Sequence, residues 1–389
     1  MLKNKFTFLK DVLICSLGAY GGPEAHYGVF MDQLVSKKKY ISEEELIELI
    51  ALCGLLPGPG STQTIVAIGY KMGGPILGFL TMLVWGLPAI LFMTALSFLT
   101  SIFIRYNLDL NILRYIAPMA AGFIILAAYK IGKKVLHGPL TIALFIMGLA
   151  SSYFIRKAWT FPVILIIGGL AAILTTKEKN LWTKPKLKPN WGIVAAFIGF
   201  IIIPPLLYGL TSSRLIYLFD RFYRYGYLVF GGGQVVVPMM YTDLVDINAY
   251  MTAEEFLTGY GLVQGVPGPM FSFSAYASGV AASEAGVLYQ IAAGLIGGIG
   301  IFLPGILLIY FVYPLWADLR KVKGIKVSLR GINAVAGGMI SSAAIIILQK
   351  AGLSIENLGI LILTILLLAT KKVPAPLVVL GCILLGIII

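Results

Sequence analysis

The residues with the most chemical potential in this chain are not acids, bases or nucleophiles. They are two copies of one short motif, Leu56-Pro57-Gly58-Pro59-Gly60-Ser61-Thr62-Gln63 and Val266-Pro267-Gly268-Pro269-Met270-Phe271-Ser272. Apolar helical sequence precedes and follows each. Proline has no N–H, blocks helix continuation and pushes the residue before it out of the α region. A helix must therefore stop near Leu56 and restart near Gly60, and the same must happen at the second copy. The restarted helix presents unpaired N–H groups and the positive end of its dipole. Hydroxyl and amide side chains stand beside that end: Ser61, Thr62 and Gln63 in the first copy, Ser272 and Ser274 in the second. Such an arrangement suits an oxyanion without a buried cation. The structural alternative is a hairpin turn whose polar residues only cap the second helix.

A second pair of elements is Tyr20-Gly21-Gly22-Pro23-Glu24-Ala25-His26 and Phe230-Gly231-Gly232-Gly233-Gln234. Consecutive glycines let backbone approach a ligand or a neighbouring helix closely. Glu24 and His26 lie in an apolar segment, where ionisable groups are functional candidates by default, and either is a candidate proton carrier. Gln234 stands opposite Glu24 in the second copy. Lys71, Arg114 and Arg330 are candidates for attracting an anion to a cavity mouth, with interfacial anchoring as the alternative. Ser42-Glu43-Glu44-Glu45 and Thr252-Ala253-Glu254-Glu255 read as capping boxes that start the helix entering each break, which gives Glu45 and Glu255 a structural role. The cluster from Arg214 to Tyr227 reads as an interfacial aromatic belt.

The elements that must position these groups are membrane helices. Of 389 residues 59% are hydrophobic and only 12% charged, against about a quarter charged in a soluble domain. Mean hydropathy is +0.92, and apolar stretches near the roughly 20 residues that cross a bilayer recur along the chain. They fall at 12–30, 43–72, 74–104, 110–135, 139–154 and 159–175, then 191–210, then 215–240, 252–282, 286–316, 328–349, 354–370 and 373–389. The segments at 43–72 and 252–282 are interrupted. A polar stretch from Thr175 to Asn190, with five lysines and two prolines, reads as a linker. The first apolar segment runs into Gly22 and Pro23 without a small-residue cleavage site and is not read as a signal peptide. The net charge of +13 fits lysines collecting in cytoplasmic loops better than attraction of a substrate, and no basic domain exists to bind nucleic acid. Cys15, Cys53 and Cys382 have no metal-ligand spacing, and His26 and His137 form no HExxH. No zinc hydrolase, P-loop or nucleophile–base arrangement is present.

The segments divide as six, one and six, and the sixes match. An offset of 210 carries Gly21-Gly22 onto Gly231-Gly232, Tyr40 onto Tyr250, Glu44-Glu45 onto Glu254-Glu255, and the first Pro-Gly-Pro onto the second. After a six-residue insertion, an offset of 216 carries Leu87-Pro88 onto Leu303-Pro304 and Leu113-Arg114 onto Leu329-Arg330. The expected organisation is a repeat at 1–175, a basic linker and unpaired segment at 176–210, and a second repeat at 211–389. An odd central segment turns the second repeat over. Loop charge agrees: Arg320, Lys321, Lys323, Lys326 and Arg330 crowd the 317–330 loop. Its equivalent at 105–114 has only Arg105 and Arg114, and the next first-half loop carries Lys130, Lys133 and Lys134. The fold class is an all-α membrane protein of two homologous six-segment halves, inverted repeats, with broken or re-entrant helices at the Pro-Gly-Pro motifs.

The Gly-Gly-Pro-x-Ala-His element followed by Pro-Gly-Pro, repeated as Phe-Gly-Gly-Gly plus Pro-Gly-Pro, resembles the chromate ion transporter family in its long form of two fused domains. The resemblance covers essentially the whole chain. It implies a multi-pass plasma-membrane exporter of chromate, a tetrahedral dianion similar to sulfate, and halves of opposite topology. The matching positions are Gly21, Gly22, Pro23, His26, Pro57, Gly58, Pro59 and Gln63, then Gly231, Gly232, Gly233, Pro267, Gly268 and Pro269. Two departures are the short segment before Tyr20 and Gln264 ahead of the second Pro-Gly-Pro. The expected partners are an oxyanion and the lipid bilayer, with a homodimer compatible and with no cofactor, metal or nucleic acid. An oxyanion channel or a sulfate uptake carrier is the competing function. An embedded enzyme is disfavoured.

Overall fold

The structure, a computed structural model, describes residues 2–99, 102–103, 106, 110–155, 157, 159–178, 181–182, 189–229, 236–319, 322–350 and 354–388. The described residues are helical, with no strand among them. Five helical stretches are long and apolar enough to cross a membrane: Gly60–Leu96, Asn111–Val135, Trp191–Thr211, Val287–Leu319 and Lys323–Gln349.

The duplication is visible in backbone detail. Helices α1 (Leu2–Gly18) and α2 (Pro23–Phe30) lead to a π-helical turn at Met31–Lys37, then α3 (Glu43–Cys53) and α4 (Gly60–Leu96). Next come α5 (Ile116–Val135), α6 (Pro139–Phe154), α7 (Thr160–Thr175) and the unmatched α8 (Trp191–Thr211). The pattern then repeats: α9 (Arg214–Tyr227), α10 (Val236–Tyr241), a π-helical turn at Thr242–Ile247, and α11 (Ala253–Val263). After a 3-10 turn at Met270–Ser272 follow α12 (Phe273–Val280), α13 (Val287–Val312) and the short α14 (Trp316–Leu319). Helices α15 (Lys323–Lys350), α16 (Ile355–Ala369) and α17 (Ala375–Ile388) close the chain. Helices α3 and α11 coincide at both ends under the 210-residue offset. Lys39 and Ala249, also equivalent, both take a positive φ, 53° and 48°. The six-residue insertion falls at the turn 281–286, whose counterpart in α4 is the break at Gly73 and Gly74, where the backbone leaves helical geometry.

Both predicted capping boxes are present. Glu45 N donates to Ser42 Oγ (3.2 Å) and Ser42 N to Glu45 Oε2 (3.1 Å). Glu255 N donates to Thr252 Oγ1 (3.1 Å) and Thr252 N to Glu255 Oε2 (2.9 Å). Each box satisfies two amides that a helix start otherwise leaves open.

The chain forms two compact units, and each draws on both repeats. The first comprises Met1–Phe98, Pro185–Val229 and Val266–Arg320. At its centre α4 and α13, equivalent helices of the two repeats, run antiparallel. Gly78 meets Tyr310, Ile90 meets Gly298 and Thr94 meets Gly294, while Gln290 Nε2 donates to Ser97 O (3.0 Å). Helix α1 packs on α4, and its counterpart α9 packs on α13.

The second unit comprises Leu99–Lys184, Phe230–Gly265 and Lys321–Ile389. The repeats exchange helices in it: α6 and α7 pack on α15, whereas α16 and α17 pack on α5. Glycines make these approaches close. Gly148 lies on the Val335 backbone, Gly331 on Gly168, and Gly338 on Phe145. Small residues serve this purpose where lipid gives helices no hydrophobic reason to associate.

Candidate functional site

Both Pro-Gly-Pro breaks belong to the first unit. Helix α3 stops at Cys53 and α4 starts at Gly60, so the interruption falls where the prolines require it. Gly58 sits at φ +127° and Gly268 at φ +107°, a region that only glycine enters cheaply. A Cβ on Gly58 would stand 2.6 Å from Gln63 Nε2, and one on Gly268 2.9 Å from the Ala89 Cβ.

Each break is held by the opposite repeat. Gly58 N donates to Val229 O (2.8 Å), and Gly268 N donates to Ala19 O (2.8 Å). Val229 is the 210-residue equivalent of Ala19, so one hydrogen bond has been made twice by exchange. Ala19 lies just ahead of the Gly21-Gly22 element, so the two glycine-rich motifs singled out in the sequence meet through opposite repeats. The first break also rests on Gly305, which lies 3.3 Å from Pro59 Cδ when given a Cβ. The second rests on Ala89, the equivalent of Gly305.

The first broken segment is a hairpin. Lys71 Nζ pairs with the Glu45 carboxylate, so the end of the second arm returns to the start of the first. Arms of 43–53 and 60–72 are about 16 and 20 Å long at 1.5 Å per residue, short of the ~30 Å hydrocarbon core. Glu45 lies outside the candidate spans. The hydrogen bond from Lys71, then that from the Ser42 backbone, hold its carboxyl below the usual carboxylate range. Glu48 Oε1 accepts from Trp316 Nε1 (3.1 Å) at the same end of α3.

At the N-terminus of α4 no side chain caps the open amides. Ser61, Thr62 and Gln63 are all buried there. Ser61 Oγ is 2.9 Å from His26 Nδ1, and Thr62 Oγ1 accepts from Trp85 Nε1 (3.1 Å). Gln63 folds back over the break, Nε2 donating to Pro57 O (2.8 Å). Three buried polar atoms around the breaks find no hydrogen-bond partner among the described residues: His26 Nε2, Gln63 Oε1 and Ser272 Oγ. Leaving such groups unmet costs about 1–3 kcal/mol each.

The remaining candidates are placed as follows. Gly22 caps α2 at φ +103° and Pro23 opens it; Gly21 has φ +80°. His26 is buried at 1% exposure, whereas Glu24 is exposed. Ser274 Oγ donates to Phe271 O (2.7 Å) and is committed to its own helix. Lys71 is ion-paired. Arg114 and Arg330 belong to the second unit. The Arg114 guanidinium donates to Tyr115 OH (2.7 Å) and stacks on that ring, and Arg330 pairs with Glu178 (3.3 Å). Gly231, Gly232, Gly233 and Gln234 lie outside the described residues.

Two features escaped the sequence reading. Trp85 is fully buried and contacts the first break from within α4; its one signal was the nearby Leu-Pro matched in both repeats. Asp11, 2% exposed, accepts from Gln33 Nε2 (2.9 Å) and Tyr40 OH (2.7 Å) and pairs with Lys38 (3.3 Å). It lies just outside the first apolar segment as drawn, and nothing in its spacing announced it.

A duplicated helical fold with long apolar helices is that of a membrane protein. Residues 6–174 and 216–387 each match the Chromate transporter family, and the chain belongs to that family, one of transporters rather than enzymes. It is 24% identical over 381 residues to a "Probable chromate transport protein" of Synechococcus elongatus, covering 96% of this chain and 93% of the relative. It is 24% identical to a "Chromate transport protein" of Cupriavidus metallidurans, covering 95% and 89%. A "Chromate transport protein" of Pseudomonas aeruginosa is 25% identical, covering 91% and 82%. No solved structure shows a significant match.

Proposed function

We propose that this chain is a multi-pass secondary transporter of the plasma membrane that exports chromate or a related tetrahedral oxyanion such as sulfate. The anion binds at the helix N-termini of the two Pro-Gly-Pro breaks. The observation that carries this reading is the pair of unmet buried groups able to donate, His26 Nε2 and Ser272 Oγ, the first of them beside an uncapped helix N-terminus. Open amides and a positive dipole end favour an anion there. With the Ser61 hydroxyl donating to His26 Nδ1 (2.9 Å), Nε2–H is left as a donor toward the anion. His26 is also the better placed of the two proton-coupling candidates, because Glu24 is exposed.

The antiparallel pairing of α4 with α13 supports repeats inserted in opposite orientations. Equivalent breaks then face opposite sides of the membrane, the usual basis of alternating access. Large apolar side chains such as Leu174, Leu210 and Ile355 are more than four-fifths exposed, which fits lipid rather than water around the helices.

The test is transport in proteoliposomes with chromate and sulfate gradients. Saturable uptake that exchanges one anion for the other supports the carrier. Single-channel currents indicate a pore, and no flux or competition by either anion defeats the substrate assignment.

A further inference from the structure

One residue in the first unit touches both breaks, by its side chain at the first and by its backbone at the second. Trp85 is 0% exposed. Its indole N–H donates to Thr62 Oγ1 (3.1 Å) in the first turn after the first break. Its ring packs edge-on against His26 (centroids 5.3 Å apart) and Phe30 (5.2 Å), so it also fixes the imidazole that lies against Ser61. Its backbone carbonyl faces the other way. It accepts from Ser16 Oγ (2.8 Å), and Gly268 of the second break packs onto this same turn, between Ala89, Ser16 and the Trp85 carbonyl. Gly268 N is in turn held by Ala19, three residues after Ser16.

The turn carrying Trp85 is also a weak point of the helix. Pro88 has no N–H, so the carbonyl one turn earlier loses its intrahelical donor and the helix bends more readily there. The equivalent turn in α13 holds Pro304, but Ile301 stands in the place of Trp85 and Gly226 in the place of Ser16. Gly226 packs directly on the Ile301 carbonyl. The backbone arrangement is therefore duplicated, while the side chain that reaches the break exists in one repeat.

We propose that Trp85 is a positioning residue that links the two breaks, so that the first turn of α4 and the Pro267-Pro269 loop change conformation together during transport. The link rests on the oxyanion-carrier reading above, but the contacts it depends on are independent of the substrate's identity. A buried aromatic hydrogen-bonded at one end and packed by its backbone at the other transmits a shift of either end to the other, because close-packed interiors do not absorb displacement locally.

The experiment uses the full-length protein with Trp85→Phe, which keeps a ring but loses the N–H, and Ser16→Ala, which releases the carbonyl end and leaves the ring intact. In proteoliposomes Trp85→Phe is expected to lower the maximal transport rate about fivefold, the equivalent of one net hydrogen bond, with KM within about twofold of wild type. In detergent, hydrogen–deuterium exchange is expected to speed up at both 57–62 and 267–272 in Trp85→Phe and in Ser16→Ala alike. An unchanged rate, a rise in KM alone, or faster exchange confined to one break overturns the link. If the wild-type protein moves no oxyanion, the carrier reading fails, and the exchange measurement still decides whether the breaks are linked. If Trp85→Phe does not fold, Ser16→Ala decides by exchange at 57–62, where an unchanged rate overturns the link.

Discussion

The two breaks share a backbone and differ in almost every side chain. Gly58 and Gly268 take the same rare conformation, donate to equivalent carbonyls of the opposite repeat and rest on equivalent positions of α13 and α4. Beyond the prolines the copies part. Ser61, Thr62 and Gln63 of the first align with Phe271, Ser272 and Phe273 of the second, and His26 aligns with Val236. The first break closes into a hairpin within one unit, whereas α11 and α12, the arms of the second, are assigned to different units. Duplication has preserved the device that interrupts a helix and has let the chemistry at the interruption diverge. The first break carries most of the hydrogen-bonding capacity, and of the second's buried Ser272 and Ser274 the latter is committed to Phe271 O.

The largest effect is expected where the copies are alike. Alanine at Gly58 or Gly268 forces a side chain into a positive φ, a strain of about 1–3 kcal/mol, with the steric conflict added. Both variants should lose at least about tenfold in transport rate while remaining monodisperse in detergent. A normal rate in either, measured by proteoliposome flux, removes that break from the mechanism.

A smaller effect should separate the copies. Gln63→Leu removes an amide that bridges the break, and should weaken oxyanion binding about tenfold, whereas Ser272→Ala should weaken it only about threefold. Titration calorimetry with chromate and sulfate checks the ranking. Equal losses would restore two equivalent sites.

The smallest effect tests the structural role of the capping boxes. Ser42→Ala and Thr252→Ala should each lower stability by about 0.5–2 kcal/mol, read from thermal unfolding in detergent, with little change in KM. A change in KM with no loss of stability would move Glu45 or Glu255 into the binding machinery.

The duplication and the breaks were legible because proline and glycine impose backbone constraints that do not depend on tertiary context. Pro57, Pro59, Pro267 and Pro269 stop a helix wherever they are placed, and their shared register identifies the copy. The capping boxes were legible for the same reason, since each is a local exchange of hydrogen bonds over four residues. Contacts across long sequence separations were not legible. No local pattern links Gly58 to Val229 or Gly268 to Ala19, although the 210-residue offset relates them once one is known. Lys71 resembled a free cation until its partner Glu45 appeared at the other end of a hairpin. Trp85 was hidden because a tryptophan in an apolar helix looks like any other core residue. The interleaving of the repeats in both units was hidden because sequence similarity reports descent and not packing partners.

The most direct measurement is an experimental structure with chromate bound, using the anomalous signal of chromium to place the anion. The account predicts chromium at the N-terminus of α4, with an anion oxygen within hydrogen-bond reach of the Gly60–Thr62 amides and of His26 Nε2. Chromium beside Arg114 or Arg330, with both Pro-Gly-Pro breaks empty, would contradict it.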